Sequence, residues 1–145
     1  MSRQASCSCG QLQLSCEGEP VRVSLCHCHA CQRRTGSAFG VQARFPRERV
    51  RIGGRSTTFV RLGDSGNPIT VHFCPSCGTT VYWELGQLAG FVAVALGAFA
   101  DQNFPPPKVS VYEYFAHPWA MPAMNGMEHQ PKLARAGSTF SGRGV

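Results

Sequence analysis

Hydrophobic and polar residues alternate over short segments along most of the chain, as in strands that bury one face. Gly, Pro, Asn or Asp separates these segments about every ten residues. The pattern predicts eight strands, at Gln11–Cys16, Val21–Cys26, Phe39–Phe45, Thr57–Leu62, Ile69–Phe73, Thr79–Leu85, Phe91–Leu96 and Val109–Phe115. We therefore expect a mainly β fold.

Helix signals are few, because 16 glycines and 10 prolines interrupt every long window. Cys28–Arg34 is predicted to form one short helical turn. Asp101–Lys108 contains three successive prolines and is predicted to be a loop. His117–Lys132 lacks any period and is expected to lie over the surface as an ordered arm, whereas Ala136–Val145 is expected to be disordered.

The length of the chain indicates one domain. With 145 residues and 43% hydrophobic content, the chain is large enough to bury a core without extra cross-links. It shows no internal repeat and no interdomain linker. We expect one domain over residues 1–135, followed by the tail.

The redox environment of the cysteines can be judged from the start of the chain. Met1–Gly10 has no apolar stretch typical of a signal peptide, and Phe91–Ala100, the longest apolar run, is too short to cross a bilayer. We therefore expect a soluble protein of the reducing cytoplasm, without a membrane partner. In that compartment clustered thiols usually serve metal binding or catalysis rather than disulfide formation.

The formal charge of +6 is a weak argument for a nucleic-acid partner. Basic residues are scattered apart from Arg33 and Arg34 and a stretch with Arg44, Arg47, Arg49, Arg51 and Arg55. That stretch is more typical of a solvated strand edge. Nucleic acid is thus an unlikely partner.

Four of the eight cysteines form two pairs that are far apart in sequence. Cys7 and Cys9 precede the first predicted strand, and Cys74 and Cys77 lie in a Cys-Pro-Ser-Cys-Gly turn between two others. A turn of this kind is typical of a zinc knuckle, which needs four donors at about 2.3 Å. We expect all four cysteines to bind one structural zinc. A redox Cys-x-x-Cys or unpaired buried thiols remain alternatives.

A second cluster places Cys26, Cys28 and Cys31 within six residues. Three thiolates can converge on one zinc ion and leave a position open, as in catalytic sites. A closed, purely structural site remains an alternative if His27, His29 or a distant side chain supplies a fourth ligand.

Two other residues near these clusters have simpler interpretations. His72 is expected to be a strand residue rather than a ligand. Cys16 alternates with Leu12 and Leu14 and is expected to be a small buried apolar residue.

Three linked motifs give the chain a family resemblance: CSCG from Cys7, CHCHACQRRTGSAFG from Cys26, and FCPSCGTTVYW from Phe73. The chain resembles the glutathione-dependent formaldehyde-activating enzymes and their relatives, which include centromere protein V. The resemblance runs from Cys7 to about Trp119. It implies a β-tent fold of coiled antiparallel sheets with one four-cysteine structural zinc and one three-cysteine catalytic zinc, two per chain.

The resemblance also implies an activity, the reversible addition of glutathione to formaldehyde. The product is S-hydroxymethylglutathione, and the enzyme is formally a carbon–sulfur lyase. Zinc binding deprotonates a thiol, whose free pKa is near 8.5. In the family one thiolate of the cluster can yield its place to the incoming thiol, and Cys28 is the matching position.

The substrate would be glutathione or another small thiol, together with a small aldehyde. Glutathione carries two carboxylates, and Arg33 or Arg34 could bind one of them, although surface arginines are an equally good interpretation. Trp119, Phe104 and Phe45 could line a pocket, but aromatic residues in a small β protein usually belong to the core.

A different class of function also fits the sequence. In a non-catalytic module, both zinc ions would be structural, and the β surface would bind a protein or nucleic acid. The sequence is compatible with a homodimer but does not require one.

Overall fold

The computed structural model describes residues 1–121 and 125–130. Eleven strands and one α-helix lie in this part of the chain. The strands are β1 (Ser2–Ser6), β2 (Gln13–Glu17), β3 (Arg22–Cys26), β4 (Gly40–Pro46), β5 (Val50–Gly53), β6 (Thr57–Leu62), β7 (Pro68–Phe73), β8 (Thr80–Leu85), β9 (Phe91–Ala95), β10 (Val109–Val111) and β11 (Glu128–Gln130); the helix is α1 (His29–Thr35). The prediction of a mainly β chain with little helix is confirmed.

The strands form two sheets. The small sheet has the order β1-β2-β5, and the large sheet has the order β11-β10-β3-β4-β9-β8-β7-β6. Pairing is antiparallel except at β10, which runs parallel to both β3 and β11. Antiparallel sheets therefore account for most of the fold, with a parallel extension at one edge.

The main core lies between the small sheet and one face of the large sheet. Alternation places Leu14 and Cys16 of β2 in this core, together with Phe45 of β4 and Val92 and Val94 of β9. All five side chains are almost fully buried. The prediction for Cys16 is confirmed.

The opposite face of the large sheet carries a different row of side chains. Directly paired positions share a face of a sheet, and the register joins Arg44, Ala93, Trp83, Val71 and Phe59 from β4 through β9, β8 and β7 to β6. Helix α1 packs over the β4 part of this face. The small side chain of Ala93 stands between Arg44 and Trp83.

Helix α1 approaches the sheet closely at Gly40. A Cβ atom at Gly40 would lie 2.7 Å from Arg34 Nη2, 3.3 Å from Thr35 Cγ2 and 3.4 Å from Cys31 Cβ. Gly36 ends the helix in the left-handed conformation, at φ 66°. Gly40 thus lets the helix lie against the strand next to the last residues of β3.

Several predicted boundaries were wrong for local reasons. Strands β1 and β5 were not predicted, because β1 is polar apart from Ala5 and β5 lies in the arginine-rich stretch. The last predicted strand was too long: it ends at Val111 because Tyr112 adopts a left-handed conformation, at φ 56°. Residues 113–115 form a 3-10 turn instead.

The remaining predictions fall on connecting segments. Residues 101–108 contain no strand or helix, as predicted for the loop, and Phe104 from this loop is buried against Phe99. The predicted arm is described only in part, and Glu128–Gln130 within it pairs with β10 as β11. The tail at residues 136–145 lies outside the described residues. No helix in the described residues is long and apolar enough to span a membrane.

Candidate metal centres and adjoining cavity

The first metal-binding candidate joins Cys7, Cys9, Cys74 and Cys77. Their Sγ atoms all lie within 4.8 Å of one another. Cys7 and Cys9 lie in the turn between β1 and β2, and Cys74 and Cys77 lie in the turn between β7 and β8. The fold therefore brings together two pairs that are 65 residues apart.

Both turns follow the same plan. In the first, Cys7 N–H donates to Leu12 O at 2.9 Å and Gly10 N–H donates to Cys7 O at 3.0 Å. In the second, Cys74 N–H donates to Thr79 O at 2.9 Å and Gly78 N–H donates to Cys74 O at 2.8 Å. Gly10 and Gly78 have φ angles of 81° and 76°, a conformation that costs glycine little. The glycine after the second cysteine therefore permits each turn.

Hydrogen-bond donors surround the four sulfurs. Leu12 N–H donates to Cys7 Sγ at 3.3 Å, Gln11 Nε2 to Cys74 Sγ at 2.9 Å and Ser76 N–H to Cys74 Sγ at 3.4 Å. A hydrogen bond with the Thr79 hydroxyl is the largest cause that lowers the pKa of Cys77 to about 5. These donors stabilise thiolates at Cys74 and Cys77, whereas the pKa of Cys9 is raised to about 11, since a backbone hydrogen bond with Gln11 is outweighed by hydrogen bonds with the neighbouring thiols and by burial.

The spacing of the sulfurs fits a tetrahedral ion. Cys7 Sγ to Cys9 Sγ and Cys9 Sγ to Cys74 Sγ both measure 3.6 Å. Four sulfurs at about 2.3 Å from one zinc would be separated by roughly 3.8 Å. The cluster could therefore hold a metal ion with all four positions filled by the chain.

The second candidate consists of Cys26, Cys28 and Cys31, whose Sγ atoms also lie within 4.8 Å of one another. Cys26 ends β3, Cys28 is the N-cap of α1, and Cys31 lies in the first turn of the helix. Cys31 N–H donates to Cys28 Sγ at 3.3 Å. The junction of one strand and one short helix thus brings three sulfur atoms together.

The electrostatics of the three thiols favour a cation between them. Hydrogen bonds with Cys28 and Cys31, together with burial, raise the pKa of Cys26 strongly. Hydrogen bonds with Cys26 and Cys28, assisted by the Arg34 guanidinium, hold the pKa of Cys31 well below its usual range. One negative charge is therefore easily accommodated, whereas three require a compensating cation. The donor set fits a metal ion that the chain binds through three thiolates.

Histidines near the cluster make other contacts. His27 is buried, and its Nε2 lies 3.2 Å from Ser110 Oγ. The ring of His29 lies against Phe115, with centroids 4.6 Å apart. In residues 1–121 and 125–130, no histidine, aspartate or glutamate joins the three sulfurs as a further ligand. The open position expected for this cluster stays a prediction.

His72 and Cys16 lie outside both clusters. His72 stacks on Tyr82 and contacts Ser56 and Glu84 from its place in β7. Burial raises the pKa of Cys16 to about 11, so this thiol stays protonated.

A cavity of about 570 Å³ adjoins the three-cysteine cluster. Helix α1 forms one wall and strands β6, β7 and β8 form the other. The lining residues are Ala30, Cys31, Arg33, Arg34, Phe59, Arg61, Ile69, Val71, Phe73, Thr80 and Trp83. Cys31 is thus the ligand candidate that lines the cavity, whereas Cys26 and Cys28 are buried and do not line it.

The two arginines singled out from the sequence both line this cavity, in different ways. The Arg34 guanidinium lies over the Trp83 ring, 4.2 Å from its centroid, and hydrogen-bonds Cys31. Arg33 is exposed. Whether either binds substrate stays a prediction.

The aromatic residues singled out from the sequence do not line the cavity. Phe45 and Phe104 are buried in the main core, as their residue type suggested, and Trp119 is 79% exposed. Trp83 and Phe59 line the cavity instead. Their paired register on one sheet face was the available signal, but it requires knowing that β6, β7 and β8 are neighbours.

Tyr112 is a further residue beside the cluster that the sequence did not indicate. It packs against Cys26 and Cys28, and its hydroxyl hydrogen-bonds the Asp64 carboxylate. Burial is the first cause that raises the pKa of this phenol. The turn between β6 and β7 therefore reaches across to the strand that flanks the cluster.

Fold and sites together define a mainly β protein with two cysteine clusters suited to metal ions. A family profile described as glutathione-dependent formaldehyde-activating enzyme matches residues 2–114. Since this is most of the chain, the protein belongs to that family.

A solved structure supports the fold. The crystal structure of a Rhodobacter sphaeroides protein is similar, with a TM-score of 0.53 and 19% identity over 71% of this chain and 91% of that chain. At this identity the similarity concerns the fold alone. A comparison with curated protein sequences gives no significant match.

Proposed function

We propose that this protein catalyses the reversible addition of a thiol to a small aldehyde at a zinc ion bound by Cys26, Cys28 and Cys31. Glutathione is the proposed thiol and formaldehyde the simplest aldehyde. This activity is a carbon–sulfur lyase reaction in the reverse direction. Family membership supports the assignment, and the observation that carries it is the position of the three-cysteine cluster against a cavity.

The proposal gives the second zinc ion a different role. Cys7, Cys9, Cys74 and Cys77 supply four thiolates and leave no position for a substrate. None of these four residues lines the cavity. We assign this ion to holding the turns together. Both sites need reduced thiols, which agrees with a cytoplasmic location.

The reaction itself balances without a redox partner. The thiol sulfur forms a bond to the carbonyl carbon, the carbon–oxygen π bond breaks, and the thiol proton ends on the new hydroxyl. Zinc held by the three cysteines would supply the thiol substrate as a thiolate at neutral pH.

The residues of the chain would position the reactants. Arg34 is fixed by its contacts with Trp83 and Cys31, so its charge stays beside the cluster. Arg33 is exposed at the cavity and could bind a glutathione carboxylate. Holding the two reactants together can supply much of the acceleration, because proximity removes an entropic cost.

Cys28 and Cys31 offer two routes for the incoming thiol. The family resemblance points to Cys28 as the ligand that yields its place. Cys28 is 3% exposed and caps α1, whereas Cys31 is more exposed and lines the cavity. Departure of Cys28 would therefore free the N–H of Cys31 as well as a coordination position.

An exchange measurement by NMR tests the activity. Carbon-13 formaldehyde and glutathione equilibrate spontaneously with S-hydroxymethylglutathione, so the observable is the exchange rate with enzyme above that background. We expect acceleration by zinc-loaded protein and none by Cys31→Ala. Equal rates with and without the parent protein would overturn the proposal.

Cobalt substitution separates the enzyme from the two other interpretations. Glutathione at millimolar concentration should perturb the thiolate-to-cobalt absorption if the three-cysteine site is open. An unchanged spectrum would favour a non-catalytic module with two structural ions. A preparation with clearly less than one zinc per chain that undergoes two-electron oxidation would favour redox-active cysteine pairs instead.

A further inference from the structure

The cavity beside the three-cysteine cluster is much larger than formaldehyde requires. Its volume of about 570 Å³ lies within the range of about 300 to 1,000 Å³ that drug-sized ligands occupy. Formaldehyde has only two non-hydrogen atoms and would leave most of this space unfilled. A substrate with a sizeable body would use the cavity fully.

The walls of the cavity are mainly apolar. Six lining residues have apolar side chains, namely Ala30, Phe59, Ile69, Val71, Phe73 and Trp83. Phe59 is 61% exposed on the edge strand β6. An apolar ligand in the cavity would remove such surface from water, which is favourable in proportion to the area covered.

The charged residues of the lining are all arginines. Arg33, Arg34 and Arg61 line the cavity, and no acidic residue does. Arg34 is engaged with Trp83 and Cys31. Arg61 differs, because its Nη1 is buried and has no hydrogen-bond partner in the described part of the chain. Nη1 itself is closed to a ligand, but other parts of Arg61 line the cavity and no ion pair of the described residues includes it, so a ligand carboxylate would supply the charged partner that this guanidinium lacks.

We propose that the aldehyde substrate of this protein has an apolar body, aromatic or branched aliphatic, and carries one carboxylate. The apolar body occupies the space between α1 and strands β6 to β8, the carboxylate binds Arg61, and the aldehyde carbon lies at the Cys31 end. This inference rests on the proposed function, since it takes the three-cysteine cluster as the reacting centre.

Glutathione itself is a poor occupant of this cavity. Its two peptide groups need hydrogen-bond partners when they leave water. Thr80 is the one uncharged lining residue that carries a hydroxyl or amide side chain. Glutathione therefore binds at the exposed side near Arg33, and the apolar space is left to the aldehyde.

The proposed reaction keeps the same balance as the addition to formaldehyde. The thiol sulfur bonds to the aldehyde carbon, the carbonyl π bond breaks, and the proton moves to the oxygen. The product is a hemithioacetal with a bulky substituent, and no oxidant or reductant is consumed.

A binding measurement tests the cavity without any reaction. The chain contains two tryptophans, so Trp119→Phe leaves Trp83 in the cavity wall as the single indole reporter. The probe is 4-tert-butylbenzoate, which has neither thiol nor aldehyde, and its neutral analogue is 4-tert-butylbenzyl alcohol. We expect both to change the Trp83 emission, with the carboxylate binding more tightly.

Arg61→Gln should weaken the carboxylate probe about tenfold, because a hydrogen bond to a charged group is lost. It should leave the affinity for the neutral analogue unchanged. Arg51→Gln is the matched control, since Arg51 is an exposed arginine of β5 that does not line the cavity. Failure of the carboxylate probe to bind, or equal affinity in Arg61→Gln and parent, would overturn the inference.

A turnover experiment then tests whether the apolar group with its carboxylate belongs to the aldehyde or to the thiol. Glutathione with 4-formylbenzoate should be converted more efficiently than glutathione with formaldehyde, and Arg61→Gln should remove that preference. The opposite result would be acceleration of the reaction between formaldehyde and 4-(mercaptomethyl)benzoate without acceleration of the reaction between 4-formylbenzoate and glutathione. That result would overturn the inference, because it would place the apolar carboxylate on the thiol. Absence of all turnover with intact probe binding would refute the proposed function while the cavity assignment stood.

Discussion

The two cysteine clusters differ in where their ligands come from. One joins the turn after β1 to the turn after β7, and the other lies entirely at the junction of β3 and α1. The first therefore connects distant parts of the chain, and the second lies within one short segment of it. A metal site that holds distant segments together is more stabilising when the chain fills all four coordination positions. A metal site beside a cavity can leave one coordination position for a substrate.

The surroundings of the sulfurs differ in the same sense. Around the four-cysteine cluster, Gln11, Leu12 and Ser76 donate hydrogen bonds to sulfur. At the three-cysteine cluster, Cys31 N–H and Arg34 are the donors, and Arg34 also stands in the cavity wall. Substitutions in each cluster should therefore affect different observables, stability in one and ligand binding in the other.

The largest expected effect is that of Cys77→Ala. Loss of one ligand should release the metal that joins the two turns, and structural zinc sites commonly contribute most of the stability of their domains. We expect loss of the cooperative thermal transition and of bound zinc, measured by circular dichroism and metal analysis.

Cys16→Ala is the matched control for Cys77→Ala, because Cys16 is buried outside both clusters. It should cost about 1 kcal/mol, the price of a small cavity, and should retain both metal ions. If Cys77→Ala melts like the parent, the pairing of the two turns does not support the fold.

A smaller loss of stability is expected from Gly54→Ala, near the four-cysteine cluster. The new Cβ would lie 1.8 Å from Gln11 O, and Gly54 has a φ of 87°. Because the clash is with backbone, we expect a loss of about 3 kcal/mol, measured by urea unfolding.

Gly40→Ala provides the comparison on the side of the three-cysteine cluster. Its closest clash is with the end of the flexible Arg34 side chain, so the cost should be about 1 kcal/mol or less. Its main effect should be on Trp83 emission in the Trp119→Phe background, as Arg34 moves off the ring. A greater loss of stability in Gly40→Ala than in Gly54→Ala would contradict the comparison.

A similarly small effect on stability is expected from Cys28→Ala. The protein should remain folded, with about 1 kcal/mol lost because the side chain also caps α1. The cobalt spectrum should no longer respond to glutathione as it does in the parent.

Cys28→Ser separates the cap from the metal ligand, since a serine hydroxyl also caps a helix well. Recovery of stability without recovery of the glutathione response is the expected result. A parent-like response in both variants would exclude Cys28 from thiol binding.

The sequence predicted those parts of the molecule that depend on local spacing. Thr57–Leu62 was predicted with its observed ends, because its apolar and polar positions and the flanking turns agree. The two groups of cysteines were also predicted, and their sulfurs do converge. Spacing within each turn is a local property, whereas the two distant turns were paired because a tetrahedral zinc needs four donors and each turn supplies two.

The cavity could not be predicted, because its walls depend on long-range pairing. Arg61 lies on the edge strand β6, and its neighbours across the cavity are on α1, some 30 residues earlier in the chain. Phe45 and Trp83 look alike in sequence, yet one faces the core and the other faces α1. Only the strand register shows which face of the sheet each of these two residues occupies.

The 65-residue separation between Cys9 and Cys74 also bears on the order in which the chain can fold. A ribosome must deliver Cys77 before the first cluster has its full set of ligands, and closing so long a loop carries an entropic cost that the metal must offset. The three-cysteine cluster lies within six residues, so all of its sulfur atoms leave the ribosome at nearly the same time. During synthesis the metal site proposed for chemistry is therefore complete before the metal site proposed to hold the fold.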